Sequence, residues 1–502
     1  MVCPAFASSA PLTTGVVPAF VTSADFNNDG NIDLAVTNFT DGTVSVFLGI
    51  GDGTFGTQTT FATGTFPNGI ISADFNNNGI IDLAVVNQAD DTVSILLGNG
   101  TGGFGPQTTF ATGSNPVELT SADFNEDGNI DLAITNLLGD TISVLLGNGD
   151  GTFDPQTTFA TGSFPEGVTS ADFNNDGNID LAVTNPGNDS VSIFLGNGDG
   201  TFDPQTTFAT GTIPQGITSA DFNNDGFIDL ATPSLIDNTI SVLLGNGDGT
   251  FDPQATFATG AGPFAVISTD FNCDGILDLA VTNSGDDTVS VLLGNGDGTF
   301  GPQTTFATGA FPLGINSADL NNDGAPDLAI ANTFSDNVSV LLDDCVRPFT
   351  CSDQVLPNDP GICAATVPFP SEQCVNVATS CDPDTVAVGN PTLVTCTAAS
   401  NLNPANTEVC TFTVTVNDTE PPVFTNLRDI DVEANNSIGT IVTYPDPTVT
   451  DNCPGVITTA CNPPSGSFFP VGATIVTCVA TDTNGNSATG FFTITVFPFE
   501  EE

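Results

Sequence analysis

A nine-residue phrase, DFNNDGNID at Asp25 to Asp33, returns six more times with minor changes. Its first aspartate falls at Asp25, Asp74, Asp123, Asp172, Asp221, Asp270 and Asp319, a constant step of 49 residues. A period of that length means that one supersecondary unit is copied, each copy burying its apolar face against the next. Within the phrase, side-chain oxygens recur at positions 1, 3, 5 and 9, and position 7 can add a main-chain carbonyl, which is the chemistry of a calcium loop. Gly30 at position 6 permits the tight turn that brings these oxygens together. No acidic twelfth position follows, as a helix-loop-helix calcium site would need. Ile32, Leu34 and Val36 instead alternate with Asp33 and Ala35 at the two-residue period of a strand, so the loop is predicted to join two strands.

The expected ligand sets follow copy by copy, with the position-7 residue acting through its main chain. They are Asp25, Asn27, Asp29, Asn31 and Asp33; Asp74, Asn76, Asn78, Ile80 and Asp82; Asp123, Asn125, Asp127, Asn129 and Asp131; and Asp172, Asn174, Asp176, Asn178 and Asp180. The last three are Asp221, Asn223, Asp225, Phe227 and Asp229; Asp270, Asn272, Asp274, Ile276 and Asp278; and Asp319, Asn321, Asp323, Ala325 and Asp327. Asn78 replaces an aspartate and should weaken the second site. Glu126 and Cys273 stand at position 4, outside the ligand set. The bland alternative to up to seven structural Ca2+ ions is a set of hydrated Asx turns. Cys273, alone among the repeats, is read as a neutral replacement for asparagine in preference to a reactive thiol.

Each unit reads as four strands, in the fourth copy GVTSADF, IDLAVTN, SVSIFLG and FDPQTTFAT, separated by Gly-rich or Asn/Asp-rich turns. Four short strands repeated radially predict propeller blades in an all-β protein. The last unit stops after its third strand at Cys345. The opening CPAFASSAPLTTG, residues 3 to 15, aligns without a gap on DGTFGTQTTFATG, residues 52 to 64. Seven steps of 49 place Cys3 in the slot directly after Cys345. The first strand is therefore expected to complete the last of seven blades, leaving no free sheet edge. A Cys3–Cys345 disulfide would lock that closure, unless Cys345 pairs into the next domain.

DFNNDGNIDLAVTN followed by VSVLLGNGDGTF resembles the FG-GAP or VCBS-type repeat, whose relatives include the seven-bladed head of integrin α subunits. The resemblance implies a propeller with calcium in hairpins on one face and protein or glycan contacts through the other face or the side. Strand order leads to the same geography. Connections between the second and third strands, and between the fourth strand and the next first strand, lie away from the acidic hairpins. These are also the variable loops, where binding is usually placed.

After residue 345 the composition shifts toward Pro, Thr, Val and Cys. Residues 418–502 carry PPVFTNLRDIDVEANN, SGSFFPVG, VTC and DTNGN, and closely resemble the hyalin repeat (HYR), an immunoglobulin-like β-sandwich of extracellular and adhesion-associated proteins. Residues 346–417 look like a diverged copy with six cysteines, Cys351, Cys363, Cys374, Cys381, Cys396 and Cys410, of which Cys351 with Cys363 is the preferred first pair. The second module keeps Cys453, Cys461 and Cys478, with Phe491 where the fourth would be, so one of the three is expected to be left over. Small cores make disulfides a reasonable substitute for buried area.

Composition narrows function. Lys and Arg number 2 against 59 acidic residues, giving a net charge of −57, which seven Ca2+ ions would bring to −43. Nucleic acid and anionic lipid are therefore poor partners. Histidine and lysine are absent, which excludes a Ser-His-Asp triad, a histidine-ligated zinc and Schiff-base chemistry. With this commonest catalytic apparatus missing, carboxylate-only catalysis remains possible, and an enzyme is not expected. No stretch is long and apolar enough to insert in a membrane. Twelve cysteines point to an oxidising compartment, yet MVCPAFASSAPLTTG is not a signal peptide, so either a leader was removed or the chain is part of a longer precursor. Sequons at Asn38, Asn99, Asn188, Asn337, Asn417 and Asn435 permit glycosylation. The expected function is calcium-dependent adhesion or recognition of an extracellular protein or glycan. The alternatives are a homo-oligomeric fibre subunit joined through the C-terminal strand, or a carbohydrate-active enzyme.

Overall fold

The computed structural model describes residues 5–344, 346, 349–370, 377–402 and 406–499. It divides into two compact units, the first holding Met1–Arg347 and the second most of the chain from Pro348 onward. All regular structure in the described residues is β.

In the first unit the repeat becomes a series of antiparallel sheets. Pro18–Ala24, Asp33–Asn38, Thr43–Phe47 and Thr59–Ala62 lie in sequence order in the first of them, and five more sheets repeat that order. The seventh takes Pro312–Ala318, Asp327–Asn332 and Asn337–Asp343, then Phe6–Ser8 and Leu12–Thr13 as its outer edge. Phe6 pairs with Asp343 and Leu12 with Val338, the slots that Phe55 and Phe61 occupy against Gly49 and Val44 in the first sheet. The first strands lie side by side in chain order, and that of the seventh sheet lies beside that of the first. The sheets are thus the blades of a propeller.

Residue type explains each layer. DLAVTN strands are buried on both faces because a blade packs against a neighbour on each side. The outer TTFA strands turn threonine to water and hold one phenylalanine half-buried. Hydroxyls stitch the innermost strands, with Thr22 to Ser72 at 3.1 Å, Thr169 to Ser219 at 2.9 Å and, at the closure, Ser23 donating to Asn316 at 2.6 Å.

Aromatic triads join neighbouring blades. Phe153 of the GTF turn meets Phe75 and Phe110 of the preceding blade edge-on, with centroids 5.8 and 5.4 Å away. Phe6 does the same to Phe271 and Phe306 at 6.0 and 5.1 Å, so the opening segment carries a full share of the contact. Where the seventh blade meets the first, Phe55 packs with Leu320 and Leu12, two leucines in slots that otherwise hold phenylalanine.

The second unit contains two similar layered arrangements. Thr392–Ser400 lies between Val377–Asp382 and Thr407–Asn417, and Gln354–Pro357 runs parallel to the last of these. Gly472–Thr481 lies in the same way between Thr458–Asn462 and Ser487–Phe497, with Ile430–Glu433 parallel. Cys381–Cys396 and Cys461–Cys478 occupy matching places in the two arrangements.

The other disulfides differ from the sequence-based expectation. Cys351 bonds Cys410, while Cys363 bonds Cys453, 90 residues away. Counting cysteines module by module assumed that each module closes on itself, so it paired Cys351 with Cys363 and left one of Cys453, Cys461 and Cys478 over. In fact one bridge runs between modules, and among the described residues no cysteine is free. Cys273 is also disulfide-bonded and is not an inert stand-in for asparagine. Cys3, Cys345 and Cys374 lie outside the described residues. Register places Gly490, rather than Phe491, opposite Cys478 as Cys410 lies opposite Cys396. A Cβ at Gly490 would come within 2.3 Å of Leu427, so an apolar plug occupies the space that a disulfide fills in the first module.

Candidate functional site

Each acidic hairpin, DxNxDGxxD or in the second blade DxNxNGxxD, turns between the first two strands of its blade, in the first at the end where Ala24 pairs with Asp33. The turn is wound by its own side chains. Asp25 accepts the amides of Asp29 at 3.1 Å and Gly30 at 2.8 Å, Asn27 accepts Asp29 at 2.9 Å, and Asp29 accepts Asn31 at 2.8 Å. Gly30 sits at φ +87°, a conformation open to glycine at little cost. Asp29 is held below the usual carboxylate range by the Asn31 amide and the Asn27 side chain.

Asp33 has a second task. It is fully buried, its Oδ2 accepting Phe26 N–H at 2.9 Å and its Oδ1 accepting Gly49 N–H at 2.7 Å. One carboxylate thereby ties the start of the hairpin to the turn after the third strand. Asp82, Asp131, Asp180, Asp229, Asp278 and Asp327 repeat both contacts. Burial, with the charges of Asp25 and Asp29 nearby, pushes Asp33 up to about 6. For Asp278 and Asp327 the value reaches about 7. Sequence reasoning saw position 9 only as a ligand, because a structural carboxylate and a coordinating one look alike in a sequence.

The donor chemistry of these hairpins suits a hard cation. All donors are oxygens, and each Asp33 oxygen accepts one N–H and keeps a second lone pair. Asp25, Asp29 and Asp33 are close enough for the first two to raise the pKa of the third, a repulsion that a cation would relieve. The hairpin is not drawn tight, however. Among the described residues, no hairpin has three carboxylate oxygens within 4.8 Å of one another. If calcium binds, Asp25, Asn27, Asp29, the Asn31 carbonyl and Asp33 would hold it, and it would supply charge neutralisation and stiffness rather than a reaction centre.

Position 4 also does more than its spacing suggested. Asn322 donates to Asn31 of the next hairpin at 2.6 Å, and Asn77 to Asn129 at 2.9 Å, so at these two junctions neighbouring hairpins are linked directly.

The opposite ends of the blades, where Pro18 pairs with Asn38, carry the variable loops. Six large apolar side chains stand exposed there: Val16, Phe66, Leu138, Phe164, Ile236 and Phe334. Phe39 stacks on Phe66 at 4.7 Å and Phe311 on Phe334 at 4.6 Å. Asn38 closes this end from within. It is fully buried and donates to Thr43 and Ser45, so its sequon is inaccessible in the folded protein.

A family model described as the FG-GAP-like repeat matches residues 25–85, 74–134, 123–183, 172–232, 234–281 and 270–330, which is more than half of the chain. This chain belongs to the FG-GAP-like repeat family. A HYR domain model matches residues 417–496. This FG-GAP-like protein is also similar to hyalin of Lytechinus variegatus, 36% identical over 112 residues that make up 22% of this chain and 21% of that protein. To hyalin of Strongylocentrotus purpuratus it is 39% identical over 115 residues, 22% of this chain and 9% of that one. The chain thus spans about a fifth of one curated relative it matches and about a tenth of the other. Among solved structures, BBS1N from its complex with ARL6DN aligns with a TM-score of 0.50 at 13% identity, covering 68% of this chain and 98% of that one, a likeness of fold alone.

Proposed function

We propose that this protein is a non-catalytic, extracellular or surface-displayed adhesion protein whose propeller holds calcium in its acidic hairpins and contacts a protein or glycan ligand through the loops at the other end of the blades. The reading rests chiefly on one observation. Among the described residues, six of the nine large apolar side chains exposed on the first unit stand on the variable loops, and exposed apolar side chains gathered at one end of a protein commonly mark an interaction site. The similarity to hyalin, the HYR domain and the four described disulfides support an extracellular place. The missing histidine and lysine weigh against catalysis.

The test is binding of the full chain to a glycan array and a panel of extracellular matrix proteins. Phe164→Ser with Phe334→Ser should reduce the strongest signal about tenfold or more, as loss of two exposed aromatic anchors would. Binding unaffected by both substitutions would reject this face as the contact surface. The fibre alternative through the terminal strand loses its main support, since Thr493–Phe497 is already held between Gly472–Ile475 and Ile430–Glu433.

A further inference from the structure

The segment between the two C-terminal modules brings together carboxylates that lie far apart in the sequence. Asp418 belongs to the NDTEPP linker, and Asp451 precedes Cys453 in the second module. One oxygen from each, with the Cys453 sulfur, lies within 4.8 Å of the others. Because that sulfur is bonded to Cys363, it is not a ligand, and two carboxylates are left facing each other.

Asp418 is only 7% exposed; it accepts the Asn484 amide at 3.0 Å and the Glu420 N–H at 3.2 Å. Asp451 accepts Cys453 N–H through Oδ1 at 2.8 Å, but its Oδ2 is buried with no hydrogen-bond partner. An unpaired buried carboxylate oxygen beside a second carboxylate is costly unless something positive accompanies it. The chain offers almost nothing: it has no lysine or histidine and just two arginines, Arg347 and Arg428. Both aspartates, with Asp482 and Asn484, line a cavity of about 240 Å³.

We propose that Asp418 and Asp451 bind a calcium ion at this junction, separate from the propeller hairpins. A calcium ion sits about 2.3–2.6 Å from each oxygen and tolerates irregular shells completed by water, so it spans oxygens up to about 4.8 Å apart. The ion would act beside the Cys363–Cys453 bridge. Bound there, it fixes the linker against the second module and stiffens the pair of modules.

Hydrogen–deuterium exchange on the full chain tests this with local resolution, comparing millimolar calcium chloride with chelator. Calcium should slow exchange in peptides spanning 417–424 and 449–456 by about tenfold, as for a ligand near ten times its dissociation constant. Asp451→Asn and Asp418→Asn should each abolish that response, while the exposed Asp446→Asn keeps it. An intact Cys363–Cys453 bond by mass mapping confirms that the variants fold. Equal exchange with and without calcium in the wild-type peptides would overturn the proposal, as would protection that survives both substitutions. Peptides over 25–33 report the propeller hairpins separately, so either set of sites can fail without the other.

Discussion

At the scale of single residues, the position-9 aspartate carries two roles. Its oxygens take N–H groups from both sides of the hairpin, so Asp180→Ala leaves the buried amides of Phe173 and Gly196 without acceptors. Urea unfolding should show a loss of about 2–5 kcal/mol, as for buried donors deprived of a charged partner. Asp172→Asn replaces one of the two oxygens that accept the Asp176 and Gly177 amides with an NH2 donor, so it should cost about 0.5–1.5 kcal/mol even without calcium, as well as weakening calcium binding. Two glutamates in the innermost strands and their loops give a pH signature of their own. Burial pushes Glu118 up to about 8, with the charge of Glu166 adding to it, and burial pushes Glu166 up to about 7. Folded-state values above the unfolded one mean that the native state binds more protons, so their contribution is fully present below about pH 4.5 and is lost as pH rises through 7 to 8. The melting temperature should therefore fall between pH 6 and pH 8, and Glu118→Gln with Glu166→Gln should make that fall shallower, the position-9 aspartates raised to about 6 or 7 supplying the remainder. An unchanged slope would mean that these carboxyls ionise normally.

At the scale of elements, the blades are held by recurring contacts that the repeat keeps in register. Phe153 is 7% exposed within its triad, so Phe153→Ala should cost about 3–5 kcal/mol in chemical denaturation. The opening segment matters for a different reason. Removing residues 1–13 strips the outer strand from Asn337–Asp343 and takes Phe6 away from Phe271 and Phe306. A bare edge is a template for pairing with another chain, so the truncated protein should self-associate in sedimentation velocity where the full chain does not. A truncated protein that stays monomeric and equally stable would show that the closure contributes little.

At the scale of the whole molecule, a net charge of −57 is set against two arginines, so cations from solution are the main means of balancing it. Chelation should lower the calorimetric melting temperature of the first unit markedly, because ions bound only by the folded state stabilise it by mass action. Insensitivity to chelator would remove calcium from the account of the hairpins. Much of the architecture is legible in the residues alone, since a 49-residue step, two-residue alternation and Gly/Asn turns are local signals that specify strands, their order and the slot that Phe6 and Leu12 take beside Asn337–Asp343. The hairpin turn is equally legible, because the side-chain-to-amide hydrogen bonds that wind it span at most nine residues. What the residues could not disclose depends on segments distant in the chain. Cys363 finding Cys453, the burial of Asn38 beneath its sequon, Asp33 bracing Phe26 and Gly49, and Asp418 facing Asp451 are each decided by packing between elements. Local chemistry determines what a strand or turn will be, but only the folded chain determines which of its polar groups lose water and whom they then meet.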